Sequence, residues 1–454
     1  MVGRVLPRLR PKALIVALFV ALPAVLFYAI LFRQALNIPR LDDYDALLGF
    51  LNQMAGLGSV SSKASYFLAT QHNEYKLFFE HGIVWLEFAI FGHIDLRFLC
   101  ALGNGFILLL AVLLWKMFLP DYKDFASRLA FFLPVSWLLF QLQYVETLNW
   151  AMTSLQGLPV LFFSLGAIYL LVRETRWAFC GALTFLVLAI ASSGNGFLVV
   201  PVGILVLALG RSYARLVTWL FVSAGCVAAY SYHYNMFSSQ SPTHPSILSA
   251  FMGLRPLFVI AFIGNAAAFP LNHGYLGLGV ILCPLLGIVL CIFFFYLVRI
   301  GYHRKNPLIS YCVLFLLLTA VGVAGLRSDF GFAQSLRSRY GIYSALLLIF
   351  AWFAIVEEFL QHKSVSIRYN GILLAAIIST VLFSLTMDAA GWRYGVGRNR
   401  DLVHGMTVYE HPVTPESTAG PILPLPNKAT RWGLPARAIL TQSIKLGIYR
   451  PPTY

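Results

Sequence analysis

Three carboxylates fall within four positions of this chain, at Asp42, Asp43 and Asp45. Neighbouring carboxylates repel, so one of them ionises less readily unless cations or hydrogen bonds compensate, and the pair can supply a general base. The same hard oxygens could hold a divalent cation. A third use is structural: Asp is favoured at helix starts, and Asp45 stands where it could cap a helix expected over residues 45–51. Much later, Ser335-Leu336-Arg337-Ser338-Arg339-Tyr340 brings two guanidiniums close together, with Arg327 upstream. Such arginines can snorkel to lipid phosphates with no further role, yet a guanidinium pair also suits bidentate grip on a phosphate. Arg327, Arg337 and Arg339 are therefore candidate phosphate ligands. The polar hexad Gln71-His72-Asn73-Glu74-Tyr75-Lys76 offers Lys76 to an anionic headgroup, and His72 and Glu74 to orient hydroxyls or hold the aspartates. The plainer alternative pairs Glu74 with Lys76 at the surface, where an ion pair contributes little.

These groups must be positioned by a membrane protein. With 59% hydrophobic and 11% charged residues and a mean hydropathy of +0.76, the chain has too few polar side chains to cover a soluble domain. The net charge of +15 comes from 33 basic and 18 acidic residues, and in such a chain it reports orientation in the bilayer rather than nucleic-acid binding. Six cysteines lie in or beside apolar segments without metal-ligand spacing and read as small core residues. Residues 13–31 form an uncharged run preceded by Arg4, Arg8, Arg10 and Lys12. The run is too long for a signal peptide, and no small-x-small cleavage site follows, so it is expected to be a retained anchor with its basic end in the cytoplasm.

Further spans are expected over 98–115, 129–148, 153–172, 178–192, 197–209, 216–232, 275–298, 308–325, 341–355 and 371–386, which makes about eleven crossings. The positive-inside rule agrees, because Lys116, Lys123 and Arg128, then Arg173 and Arg176, Arg211 and Arg215, Arg299 to Lys305, and Lys363 and Arg368 fall on alternate loops. Residues 32–97 become a first outer loop whose 77–97 stretch, carrying Glu80, His81 and Glu87, suits an interfacial helix better than a span. Segment 251–269 is apolar enough to cross, but a crossing there would put Arg299 to Lys305 outside; a surface or re-entrant helix is expected instead. Residues 1–387 thus form an all-α polytopic transmembrane domain. The Pro- and Arg-rich 388–454 lies outside as a tail or small capping domain, with one amphipathic helix over 434–448.

With this topology the polar residues that have no structural purpose collect on one face: the aspartates, the hexad, 143–150 with Glu146, 192–196, and 327–340. Few charges lie mid-span, which argues against an ion-coupled transporter, whose relay carboxylates belong near the bilayer centre.

A basic start, one span, an outer loop with paired acids, a surface helix and then many spans together resemble the GT-C superfamily of membrane glycosyltransferases. Gln71 to Lys76 is similar to a Gln-His-Asn-Glu-His-Arg stretch in a set of bacterial proteins of that type, which also carry an upstream Asp-Asp pair. Glu146 followed by Trp150 is similar to their Glu-Asn-x-x-Trp element, Ser193 to Pro201 to their Ser-Asn-Gly-x-x-x-x-Pro turn, and Ser338-Arg339-Tyr340 to their Ser-Arg-Tyr. The likeness runs in order from the first span to Tyr340. Tyr75, Lys76 and Thr147 depart from it, which weakens any role needing a second histidine or a guanidinium at the hexad.

The resemblance implies inverting transfer of a sugar from a polyprenyl-phosphate donor to an acceptor hydroxyl at the outer face of the bacterial inner membrane. The acceptor would be a pilin, O-antigen or cell-wall glycan; an arabinosyltransferase acting on pilins lies within that range. Asp42 or Asp43 would take the acceptor proton. Lys76, Arg327, Arg337 and Arg339 would bind the donor phosphate, with His72, Glu74, Glu146 and Tyr340 in support. No organic cofactor is implied, and a divalent cation stays open. Two rivals are a lipid-linked glycan flippase, which should hold its cations deep in a central cavity, and an acyltransferase invoking His81 or His93, neither of which accompanies an evident nucleophile.

Overall fold

The computed structural model describes residues 11–452 except 74, 119–124, 236–255, 270–276, 361–366 and 411–435. Arg4, Arg8, Arg10, Glu74, Lys123, Lys363, the start of the 251–269 segment and residues 411–435 and 453–454 of the expected outer tail lie outside the described residues. Within them every regular element is helical, and the only bridges are the isolated contacts His72 with Tyr75 and Ile94 with Tyr449.

Among the described residues eight helices are long and apolar enough to cross a bilayer: Ala13–Gln34, Leu96–Met117, Ala151–Leu171, Tyr213–Ser231, Gly279–Arg299, Pro307–Phe330, Ser338–Glu358 and Gly371–Thr407. Three shorter apolar helices, Phe125–Leu139, Arg176–Ser192 and Gly194–Leu209, complete the bundle. The chain is thus an all-α polytopic membrane protein. Burial separates centre from rim: 78% of the apolar window of Ala151–Leu171 and 83% of that of Ser338–Glu358 are buried, against 17% for Ala13–Gln34. The first two are core helices and the last faces lipid. Close crossings depend on small residues, as where a Cβ at Gly103 would run into Ser154.

The helix Phe78–Phe91 has inverted polarity. Glu80, His81 and Glu87 point into the protein, while Trp85, Leu86, Ile90 and Phe91 are exposed. An apolar outer stripe over a polar inner one needs an apolar solvent, which fits a helix lodged at the bilayer boundary. It stops at Gly92, which takes the left-handed φ of 72° that glycine adopts without strain.

The expected span over 129–148 ends early. Its helix stops at Leu139, and a buried 3-10 segment, Leu142–Thr147, takes over. That irregular backbone is tied down by Asn104, which donates to the Thr147 carbonyl at 2.7 Å and accepts from its hydroxyl at 3.1 Å. The described part of the 251–269 segment holds the helix Pro256–Ile263, with Phe258 and Phe262 fully buried. It docks on Gly279–Arg299 so tightly that Cβ atoms at Gly264 or Gly287 would strike backbone carbonyls.

The last long helix, Ile367–Glu410, runs through residue 388 without a break, and Asp388 accepts from the Leu142 amide at 2.7 Å. Its 44 residues reach about 66 Å, beyond any bilayer, so one end projects from the membrane. A final helix, Ala436–Lys445, packs against the segments Asp43–Gly49 and Phe50–Gly56. Asn52 donates to the Ile439 carbonyl at 3.1 Å and accepts from Ser443 at 2.9 Å. Just beyond that helix, the Ile94 amide donates to the Ile448 carbonyl at 2.9 Å, and the Tyr449 hydroxyl donates to the Asn37 carbonyl.

Candidate functional site

Asp42 is presented by a strained residue. Leu41 has φ of 48°, a left-handed conformation that costs a non-glycine residue about 1–2 kcal/mol, and it turns the chain into the π-helical segment Asp43–Gly49. The Asp42 side chain is 41% exposed, and what it is exposed to is a cavity of about 330 Å³. Asp43 faces the other way. It is buried, and its two oxygens accept from the amides of Arg40 at 3.0 Å and Met152 at 2.9 Å. Burial pushes its pKa up to about 7 despite those bonds. Asp43 does not line the cavity, so of the two candidate bases only Asp42 is placed to meet a ligand.

His72 sits between two carboxylates. Its Nδ1 lies 3.3 Å from Asp45 and its Nε2 3.8 Å from Asp42. The ring is brought there by a tight turn in which His72 and Tyr75 exchange both backbone hydrogen bonds and Asn73 takes a left-handed φ of 49°. Burial alone would lower the imidazole, but the Asp42 and Asp45 carboxylates outweigh it and hold the pKa at about 9. Burial would raise Asp42, but His72, with the charges of Arg339 and Arg327, holds it below the usual range. Asp42 is therefore an ionised carboxylate beside an imidazolium. Asp45, expected as a helix cap, pairs with His72 instead. Among the described residues no three His, Cys, Asp or Glu side chains gather as a metal site.

The cations divide. Arg327 and Arg339 line the cavity with Asp42. Arg337 does not: it is exposed, 3.7 Å from Glu146 and bonded to Gln334 at 3.1 Å. Arg337 is extended between two 3-10 turns, so it and Arg339 leave the backbone in different directions. Lys76 is also turned away. Fully buried, its ammonium donates to the carbonyls of Leu68 and Tyr232, at the C-terminal ends of two helices where the dipole favours a cation. It ties its own loop to the helix ending at Ser231 and lies off the cavity wall.

Glu146 is buried behind the wall, accepting from the Arg339 amide at 3.4 Å, while Tyr340 lines the cavity itself. Glu74 lies outside the described residues. The wall also holds groups to which the sequence assigned no role: Tyr75, Trp150, Gln156, Asn195 and Tyr343. Asn195 donates to the Tyr343 hydroxyl at 3.1 Å. Gln156 had a usable signal, being a lone amide inside the apolar helix Ala151–Leu171. The remaining wall is apolar, with Leu198, Val323, Leu326 and Ile342, and Gly322 and Gly325 leave room beside it.

All of these elements meet at one end of the bundle. The helix from Ala151 begins there, as does that from Gly341, and the helix Pro307–Arg327 ends there. The arrangement offers one ionised carboxylate and two guanidiniums in a largely apolar chamber that also carries aromatic rings. It can remove a proton from a neutral ligand group and receive negative charge on another. No family model, curated protein or solved structure matches the chain.

Proposed function

We propose that the chain is an inverting membrane glycosyltransferase that moves a sugar from a polyprenyl-phosphate donor to an acceptor hydroxyl of a pilin, O-antigen or cell-wall glycan. In this reading the site faces the outer side of a bacterial inner membrane and the N-terminus lies in the cytoplasm. The observation that carries it is the shared cavity of Asp42, Arg327 and Arg339. Asp42 accepts the proton of the acceptor hydroxyl as its oxygen bonds to the anomeric carbon. The anomeric carbon–phosphate oxygen bond breaks on the opposite face, and its electron pair leaves on the lipid phosphate. Because a phosphate departs as an anion, no general acid is needed; positive charge is needed where negative charge gathers, and Arg339 and Arg327 provide it. A base held below the usual carboxylate range suffices, since the hydroxyl becomes acidic only as it bonds to an electron-poor carbon.

The decisive experiment is Asp42→Asn in purified protein given a radiolabelled prenyl-phosphate sugar. A transferase loses product by at least a hundredfold while still binding donor. Unchanged transfer would remove Asp42 from its role; a protein that moves donor across vesicles without forming product would be a flippase.

A further inference from the structure

A second cavity of about 340 Å³ opens at the other end of the bundle, between the C-terminal half of Gly279–Arg299 and the N-terminal half of Pro307–Arg327. Its walls are apolar, with Phe294, Val298, Val313, Leu314 and Leu317, and its mouth carries Tyr302 and His303. From Ile309 to Leu317 it runs about 12 Å along the helix, close to the half-thickness of a bilayer's hydrocarbon core, about 15 Å. Arg299 and Arg304 flank the mouth and are exposed. The acidic groups nearby are already engaged: Glu357 accepts from Tyr302 and Asn306, both at 2.7 Å, and Glu358 pairs with Lys305 at 2.6 Å. The mouth therefore keeps a positive balance above an apolar slot one leaflet deep.

We propose that this cavity is a binding site for one anionic phospholipid, with an acyl chain along Val313 to Leu317 and its phosphate at His303, Arg304 and Arg299. The occupant is a lipid because the slot opens into the hydrocarbon layer, and an anionic one because the charged groups left at the mouth are cations. The site is independent of the sugar-transfer reading and serves the opposite end of the bundle.

The test is native mass spectrometry of the full chain released from nanodiscs of phosphatidylglycerol or of phosphatidylcholine. Wild type should retain one phosphatidylglycerol at least fivefold more often than one phosphatidylcholine. The double variant Arg299→Ala/Arg304→Ala should bring the two to parity, and Leu314→Trp, which fills the slot, should reduce both. Equal retention of the two lipids by wild type, or retention unmoved by the double variant, overturns the proposal. Should Leu314→Trp fail to fold, the exposed arginine pair still decides.

Discussion

The guanidinium of Arg339 lies 5.6 Å from the centre of the Trp150 ring, and the same ring has the buried guanidinium of Arg40 at 5.3 Å. Trp150 thus holds a cation that faces the cavity against one that does not, and Arg40 is fixed in turn by a 2.5 Å bond to Asn149. A flat cation on a flat ring is oriented as well as attracted.

Arg339→Lys keeps the charge but loses this orientation. The expected outcome is a ten- to hundredfold drop in kcat/KM for a prenyl-phosphate sugar, with unfolding temperature nearly unchanged. Trp150→Leu should weaken donor binding in the same direction, and Trp150→Phe less so. Steady-state kinetics on the three proteins checks this.

Asp42 and Asp43 should separate by phenotype. Asp42→Asn removes activity and takes away one of the two carboxylates that hold His72, a smaller loss of stability than that of Asp43→Asn. Asp43→Asn leaves one of the two backbone amides facing an amide hydrogen instead of an oxygen, at a cost of about 1–3 kcal/mol, so it should lower thermal stability in detergent before it lowers transfer. Equal stability for the two variants would mean that Asp43 does not hold the loop.

The His72 imidazolium has a folded pKa of about 9 against an ordinary 6.5, so its stabilising pairing is complete below about 6.5 and is lost as pH rises through 9. Thermal stability should fall across that window in wild type and stay flatter in His72→Gln. The same variant removes a cation that keeps Asp42 acidic, so the acid limb of kcat/KM should move to higher pH. A profile whose acid limb stays in place would detach His72 from Asp42.

Asn52 makes two buried bonds to the helix Ala436–Lys445, which packs on the segment following Asp42. Asn52→Ala should cost about 1–3 kcal/mol. A protease site placed within 411–435 and cut in the folded protein should leave the helix Ala436–Lys445 attached. A chain ending before residue 436 should lose transfer even where the bundle survives, as read by tryptophan fluorescence and product assay together.

Much of the architecture was legible because a bilayer constrains composition so strongly: the first apolar helix, the core helices and the gathering of polar loops at one end follow from where the apolar runs begin and end. The inner detail was not. Two adjacent aspartates look alike until the left-handed Leu41 shows which one faces the cavity. Lys76 could not be told from a ligand cation because its partners are backbone carbonyls, which no side-chain pattern records. Arg337 and Arg339 part only because one extended residue separates two 3-10 turns. Segment 251–269 read as a surface or re-entrant helix by charge count; that Pro256–Ile263 is buried depends on glycine contacts with a later helix.

The hydrogen bond from Tyr449 to Asn37 joins residues 412 positions apart. A ribosome makes Asn37 and Asp42 near the start and Tyr449 only after every intervening helix has been threaded into the bilayer. The loop that carries the acid thus gains its final fastening last, and a chain that stalls or misinserts midway carries an acid in an unfinished mount.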